Sequence, residues 1–171
     1  RISVEENNGD HLTEKGKEQA RLGALELKDK NIDLIFYSGF ARTTETAEIL
    51  KKELGVKDEF FLKSSKIWEW QVSTWNGRFW KDYISERVAN DKYFYKPDGC
   101  ESIKEVKERV AGFLYELEEK YKDKNILIVT HELPAKLLLA SAKYLNDEQT
   151  LNYMAEIKHI EYCEIKGLDF V

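Results

Sequence analysis

Ile32-Asp33-Leu34-Ile35-Phe36-Tyr37-Ser38-Gly39-Phe40-Ala41-Arg42 is the stretch from which the fold can be read. Ile32 to Tyr37 is a short, almost wholly apolar run, the pattern of a strand buried on both faces. Ser38-Gly39 turns the chain. Ala41 to Leu54 then places Ala47, Leu50 and Leu54 on one side of a helix that Gly55 stops. An apolar strand that feeds directly into a helix is the unit of a mainly parallel sheet covered by helices on both faces.

The same unit recurs downstream. Ile126 to Val129 reads as a second buried strand, Thr130-His131 follows it, and Pro134 to Leu145 reads as a helix with proline tolerated in its first turn. Phe60-Phe61-Leu62 is a further short strand, and Ile160 to Ile165 alternates as a closing one. On the N-terminal side, Thr13 is placed to cap a helix whose Ala20, Gly23, Ala24 and Leu27 share one face. Ser102-Ile103-Lys104-Glu105 has the form of a capping box. Behind it Ile103, Val106, Val110, Phe113, Leu114, Leu117 and Tyr121 keep a helical period. The aromatic segment from Ile67 to Tyr95, with Trp68, Trp70, Trp75 and Trp80, is expected to form short helices joined by loops. Its rings serve either as a lid over a substrate or as a satellite hydrophobic cluster, and the second is favoured. With only two prolines and no Gly/Ser-rich linker, residues 1–171 are expected to form a single domain.

Composition narrows the function. A net charge of -5 disfavours a general nucleic-acid binder, because counterion release needs a basic face. It leaves room for a local basic pocket that takes a small anion. No apolar run approaches the ~20 residues of a membrane span, and no signal peptide is visible. Cys100 and Cys163 form no CxxC pair, and His11, His131 and His159 are scattered singly, so no zinc spacing is present. Two reduced thiols and a cytoplasmic location are the expectation. Nothing in the chain indicates an oligomeric state. The sequence opens on Arg1 rather than Met, so a natural start upstream is expected.

In parallel sheets, ligands gather at the carboxyl ends of strands, where helices begin. Two such ends carry chemistry. Arg42 follows the Ile32–Tyr37 strand at a helix start; it is either a solvated surface arginine or a guanidinium fork that, with the free backbone N–H groups there, suits phosphate oxygens. His131 follows the Ile126–Val129 strand. On position alone it is a general acid/base, a phosphate hydrogen-bond donor, a phosphoryl acceptor or a core histidine satisfied by a carbonyl. Glu69 lies among Trp68, Trp70 and Trp75. It is either an exposed loop glutamate or a carboxyl raised by apolar surroundings into the range of a general acid.

Several segments in order resemble one family. Leu12-Thr13-Glu14-Lys15-Gly16-Lys17-Glu18-Gln19-Ala20, Tyr37-Ser38-Gly39-Phe40-Ala41-Arg42-Thr43-Thr44-Glu45-Thr46-Ala47, Ile67-Trp68-Glu69 with Trp75-Asn76-Gly77, Gly99-Cys100-Glu101-Ser102 and Val129-Thr130-His131 resemble the motifs of the histidine phosphatase (phosphoglycerate mutase-like) superfamily. The resemblance implies a three-layer α/β/α sandwich and a phosphatase acting on a small phosphomonoester through a phosphohistidine. It implies that Arg42 binds the phosphoryl group, that His131 hydrogen-bonds it and stabilises transition-state charge, and that Glu69 protonates the leaving oxygen. No metal or other cofactor is implied.

The chain also departs from the pattern. The family's nucleophile lies in an RHG motif at the end of a first strand before the Leu12 segment, and Arg1 to His11 contain neither that motif nor a strand. His11 is expected to be a loop histidine. A strand and RHG-like motif upstream of Arg1 are the simplest expectation. Loss of the nucleophile, or a strand supplied by a partner chain, are the alternatives. Glu132 stands where a glycine is usual, and it either repels a phosphoryl dianion or faces away to cap the helix. Gly39 replaces a proline and Asn76 a glutamate. A phosphate-binding or interaction module without catalysis is therefore the competing reading, and a mutase is a weaker one. A Rossmann-type nucleotide binder is disfavoured, because no GxGxxG or P-loop follows a strand.

Overall fold

The computed structural model describes residues 10–75, 77–89, 91–157 and 159–168. The Arg1 to Gly9 segment and Asn76 lie outside the described residues, as does the side chain of Trp80. The order is α1 (Glu14–Leu27), β1 (Leu34–Tyr37), α2 (Ala41–Leu54), β2 (Phe61–Lys63), α3 (Trp80–Ala89), α4 (Ile103–Lys120), β3 (Ile126–Val129), α5 (Glu132–Ala142) and α6 (Asp147–Glu156).

Among the described residues the sheet is parallel throughout, in the order β2-β1-β3, with Phe36 opposite Leu62 on one side and Ile128 on the other. Alternation along β1 divides the core between its faces. Leu34 and Phe36 pack with the buried stripe of α4 and with Leu137 and Leu138 of α5. Ile35 faces Ala24 and Leu27 of α1 and Ala47 and Leu50 of α2. This is the expected α/β/α layering. Leu34, Ile35 and Phe36 are buried, whereas all four residues of β3 are only half-buried. Beside β3 lies an open groove of about 1670 Å³ lined by Leu27, Tyr121, Ile128, Leu138 and Ile165, and it reaches Arg42 and His131. Among the described residues no strand pairs with the second edge of β3.

Local signals explain the helix ends. The Thr13 hydroxyl accepts the Gly16 N–H at 3.1 Å. Ser102 and Glu105 satisfy each other's backbone N–H groups, closing the capping box of α4. Gly39 turns the chain after β1 with φ 90°, a conformation that disfavours any side chain. The aromatic segment holds 3-10 turns at Ser65–Ile67 and Ser73–Trp75 and the helix α3. Trp70, Trp75, Tyr83 and Tyr93 are buried in the main core beside Ile103 and Val106, so the cluster is continuous with that core rather than a satellite of it.

Three further expectations need correction. Ile160 to Ile165 is not a strand. Cys163 sits at φ 59°, and the Glu164 N–H donates to the Glu161 carbonyl at 3.1 Å, so the alternating residues form a turn. Ile165 nevertheless packs against the α1–α2 core, which accounts for its apolar character. The helix expected over Pro134 to Leu145 runs two residues earlier and ends at Ala142, because Tyr144 adopts a left-handed φ of 52°. The strand expected at Phe60 begins at Phe61, after a 3-10 turn over Asp58–Phe60. In addition, α6 was not anticipated, although Asn146 and Gln149 form a complete capping box at its start.

Candidate active site

Two strand ends and one loop converge. The Ser38 N–H donates to the Val129 carbonyl at 3.1 Å, which ties the end of β1 to the end of β3. Arg42 therefore emerges from the first turn of α2 next to His131, the residue that caps α5. Arg42 Nη2 lies 3.0 Å from His131 Nδ1. Glu69 Oε2 lies 3.5 Å from that same ring nitrogen and 3.7 Å from Arg42 Nη2. Three side chains singled out from the sequence, separated by as many as 89 positions, thus meet at one point. Phe40 packs edge-on against the imidazole at 4.8 Å and lies under the Arg42 guanidinium at 5.1 Å, covering one side of each.

The loop before Glu69 is held from two sides. The Thr130 hydroxyl donates to the Ile67 carbonyl at 2.7 Å. Arg109, on α4, donates through Nη1 to the carbonyls of Lys66 and Trp68 at 3.0 and 3.2 Å. Its Nε and Nη2 form a two-pronged pair with Glu101 at 2.9 Å each. Glu101 in turn accepts the Gln71 N–H at 3.0 Å. The Gly99-to-Ser102 segment is thereby connected to the site through Arg109. No sequence signal marks Arg109, since its partners lie up to 44 positions away and most are backbone carbonyls.

The electrostatics follow from burial. Loss of solvent pushes His131 down to about 3, with the positive charges of Arg42 and Arg109 adding to the effect, so the ring is neutral near neutral pH. Burial also raises the Glu69 carboxyl, and the Trp70 N–H at 3.0 Å and the Arg42 charge only partly offset this. Two helix N-termini, those of α2 and α5, direct partial positive charge toward the same place.

The surrounding charges are mostly neutralised. Burial alone would raise Glu132, but Lys136 at 2.7 Å and His159 at 3.2 Å outweigh it and hold the carboxyl below its ordinary value. Glu132 is thus paired with Lys136 and His159, while it still lines the groove with Arg42 and His131 and its negative charge adds to the rise of the Glu69 carboxyl. Asp10 approaches Arg42 at 3.9 Å. His11 pairs with Glu45, whose other oxygen accepts the Leu12 N–H at 2.9 Å. Among the described residues no cluster of three His, Cys, Asp or Glu side chains is arranged to hold a metal ion, and no helix is long and apolar enough to cross a membrane. What the centre offers chemically is a guanidinium, a neutral imidazole, free helix N–H groups and a carboxyl biased toward its protonated form, around a space open to the groove.

Comparison with known proteins places the chain among relatives of one family. A family model described as the histidine phosphatase superfamily (branch 1) matches residues 4–170. Phosphoserine phosphatase 1 of Hydrogenobacter thermophilus is 28% identical over 133 residues, covering 74% of this chain and 62% of that protein. The chain thus spans less than two thirds of that relative's length. A 2,3-bisphosphoglycerate-dependent phosphoglycerate mutase of Parvibaculum lavamentivorans is 28% identical over 151 residues, 82% of this chain and 71% of the mutase. A mycobacterial glucosyl-3-phosphoglycerate phosphatase, solved with inorganic phosphate, superposes with a TM-score of 0.71 at 22% identity. The match covers 91% of this chain and 79% of that structure.

Proposed function

The chain belongs to the histidine phosphatase superfamily, and on that premise we propose that it is a phosphoric monoester hydrolase whose Arg42 and His131 hold the phosphoryl group of a small substrate. The observation that carries the reading is the meeting of Arg42, His131 and Glu69 at two adjacent strand ends. Arg42 offers paired N–H donors to two phosphoryl oxygens. His131 donates to a third, and the N-termini of α2 and α5 add fixed dipoles where negative charge grows in the transition state. Glu69, whose carboxyl burial biases toward the protonated form, gives its proton to the ester oxygen as the P–O bond breaks. The phosphoryl group passes to the histidine of an RHG motif, and water then releases it. The described residues do not include that histidine. A metal has no part in this scheme, because the donors themselves neutralise the phosphoryl charge.

The test is hydrolysis of p-nitrophenyl phosphate by the full-length protein. His131→Ala should lower kcat by roughly 10²–10³, the usual effect of removing one preorganised donor. Glu69→Gln should impair hydrolysis of alkyl phosphates far more than that of p-nitrophenyl phosphate, whose leaving group needs no proton. Equal losses on both substrates would remove Glu69 from the acid role.

One observation favours a second reading, a phosphate-binding module without turnover. Glu132 lines the same groove as Arg42 and His131, and its negative charge is felt at Glu69, where it opposes the approach of a phosphoryl dianion. Under that reading the full-length protein binds phosphate through Arg42 and His131 and hydrolyses nothing.

A further inference from the structure

We propose that the Ser38 hydroxyl is a positioning group that lets His131 exchange its tautomer when a phosphoryl group enters. It accepts the Nε2 proton in the empty site and donates to Nε2 in the filled one. This rests on the reading of Arg42 and His131 as the anion-binding pair.

In the empty site the direction of each bond follows from what the groups can do. A guanidinium only donates, so His131 Nδ1 accepts from Arg42 at 3.0 Å. The single proton of the neutral ring then sits on Nε2 and points to Ser38 Oγ at 2.8 Å. Ser38 passes its own hydroxyl proton to Thr43 Oγ1 at 2.7 Å, and Thr43 donates to the Phe40 carbonyl at 2.9 Å. The chain is continuous, buried and directed one way.

An anion reverses the demand on the ring. Phosphoryl oxygens accept, so a nitrogen that faces them must carry hydrogen, and the Arg42 N–H turns to the anion. A second proton on the ring would place a further positive charge in a buried position beside a guanidinium. Moving the one proton from Nε2 to Nδ1 leaves the ring charge unchanged: Nδ1 takes up a proton from the side on which the anion enters, and the Nε2 proton leaves to solvent when the buried contact with Ser38 transiently opens. Nε2 then needs a donor, and Ser38 becomes one by rotating its O–H.

The surroundings permit that rotation. Ser38 Oγ, once it donates to the ring, can accept from Thr43 if that hydroxyl turns away from Phe40. The Phe40 carbonyl is not orphaned, because it also accepts the Thr44 N–H at 2.8 Å. Ser38 stays fixed to the strand that carries His131 through its N–H bond to Val129 at 3.1 Å. Within the Ser38–Thr43–His131 chain two hydroxyl hydrogens and one ring proton change place between the two end states, and the heavy atoms of that chain keep their positions while Arg42 turns to the anion.

The test is nitrogen-15 NMR of the histidine-labelled full chain near neutral pH, with and without inorganic phosphate. The free protein should show a protonated Nε2 and an unprotonated Nδ1, and saturating phosphate should invert the pattern. Phosphate binding with Nε2 still protonated, or with both nitrogens protonated, overturns the switch alone. A His131 spectrum that phosphate does not perturb overturns the anion-site reading and the switch with it. Ser38→Ala, which leaves Nε2 no donor, should weaken phosphate binding roughly tenfold, the effect of one buried hydrogen bond. Unchanged affinity contradicts the proposal. Should Ser38→Ala fail to fold, Thr43→Val removes the next link, and the wild-type spectra decide the matter by themselves.

Discussion

His131 shows why position and chemistry have to be read together. A histidine after a buried strand is as readily a core residue as a ligand, and here it is buried while its Nδ1 meets Arg42 and Glu69. Its neutrality has a consequence for stability. The folded value lies near 3 against an ordinary 6.5, so between these limits the unfolded chain binds the proton and the folded chain does not. Stability is therefore fully present above about pH 6.5 and falls as the pH drops toward 3, by about 1.4 kcal/mol per pH unit from this group. Urea unfolding from pH 6 to pH 4 should show that slope reduced by one proton in His131→Asn; an unchanged slope would contradict the burial argument. Gly39→Ala should destabilise by about 1 kcal/mol or more, because φ 90° disfavours a side chain, and thermal unfolding checks it. Arg42 and His131 were singled out in the sequence by strand-end position and Glu69 by its aromatic neighbours, but position left each open to a plain structural reading and only the family resemblance suggested roles; the structure brings the three side chains together. Ser38 was not read as a site residue, since a serine in a turn carries no signal of the imidazole 93 positions away.

Helices and strands were legible where caps and apolar period agreed, as in α1, α2 and α4. They were missed where alternation stood alone. Ile160 to Ile165 has the spacing of a strand, but a left-handed residue at Cys163 makes it a turn. The start of α6 carried an Asn-x-x-Gln signature behind a short connection from α5, and that signature should have been read. The Arg109 fork ties α4 to the loop that carries Glu69. Arg109→Ala should cost about 2 kcal/mol, less than a fully buried pair because both partners retain some solvent contact. Arg109→Lys should recover little of it, since an ammonium cannot bridge Glu101 and two carbonyls at once. Hydrogen exchange at residues 66–71 should accelerate in both variants, while exchange in α1 and α2 stays as in the wild type.

The molecule as a whole is acidic, with a net charge of -5, yet it gathers a guanidinium and two helix N-termini at one end of its sheet. That contrast is what a site for a small anion requires and what a nucleic-acid surface lacks. The parallel sheet brings distant segments together, and the groove beside β3 leaves the centre accessible. Binding that is confined to the folded state should raise stability by about 2.7 kcal/mol at a phosphate concentration 100 times the dissociation constant. Arg42→Ala should abolish that gain. The most direct measurement is a crystal structure of the protein soaked in orthovanadate. The tetrahedral or trigonal-bipyramidal anion should lie within hydrogen-bond distance of both the Arg42 guanidinium and His131 Nδ1, with Glu69 facing its outer oxygen. An anion bound elsewhere, with the Arg42–His131 contact intact, would contradict the account.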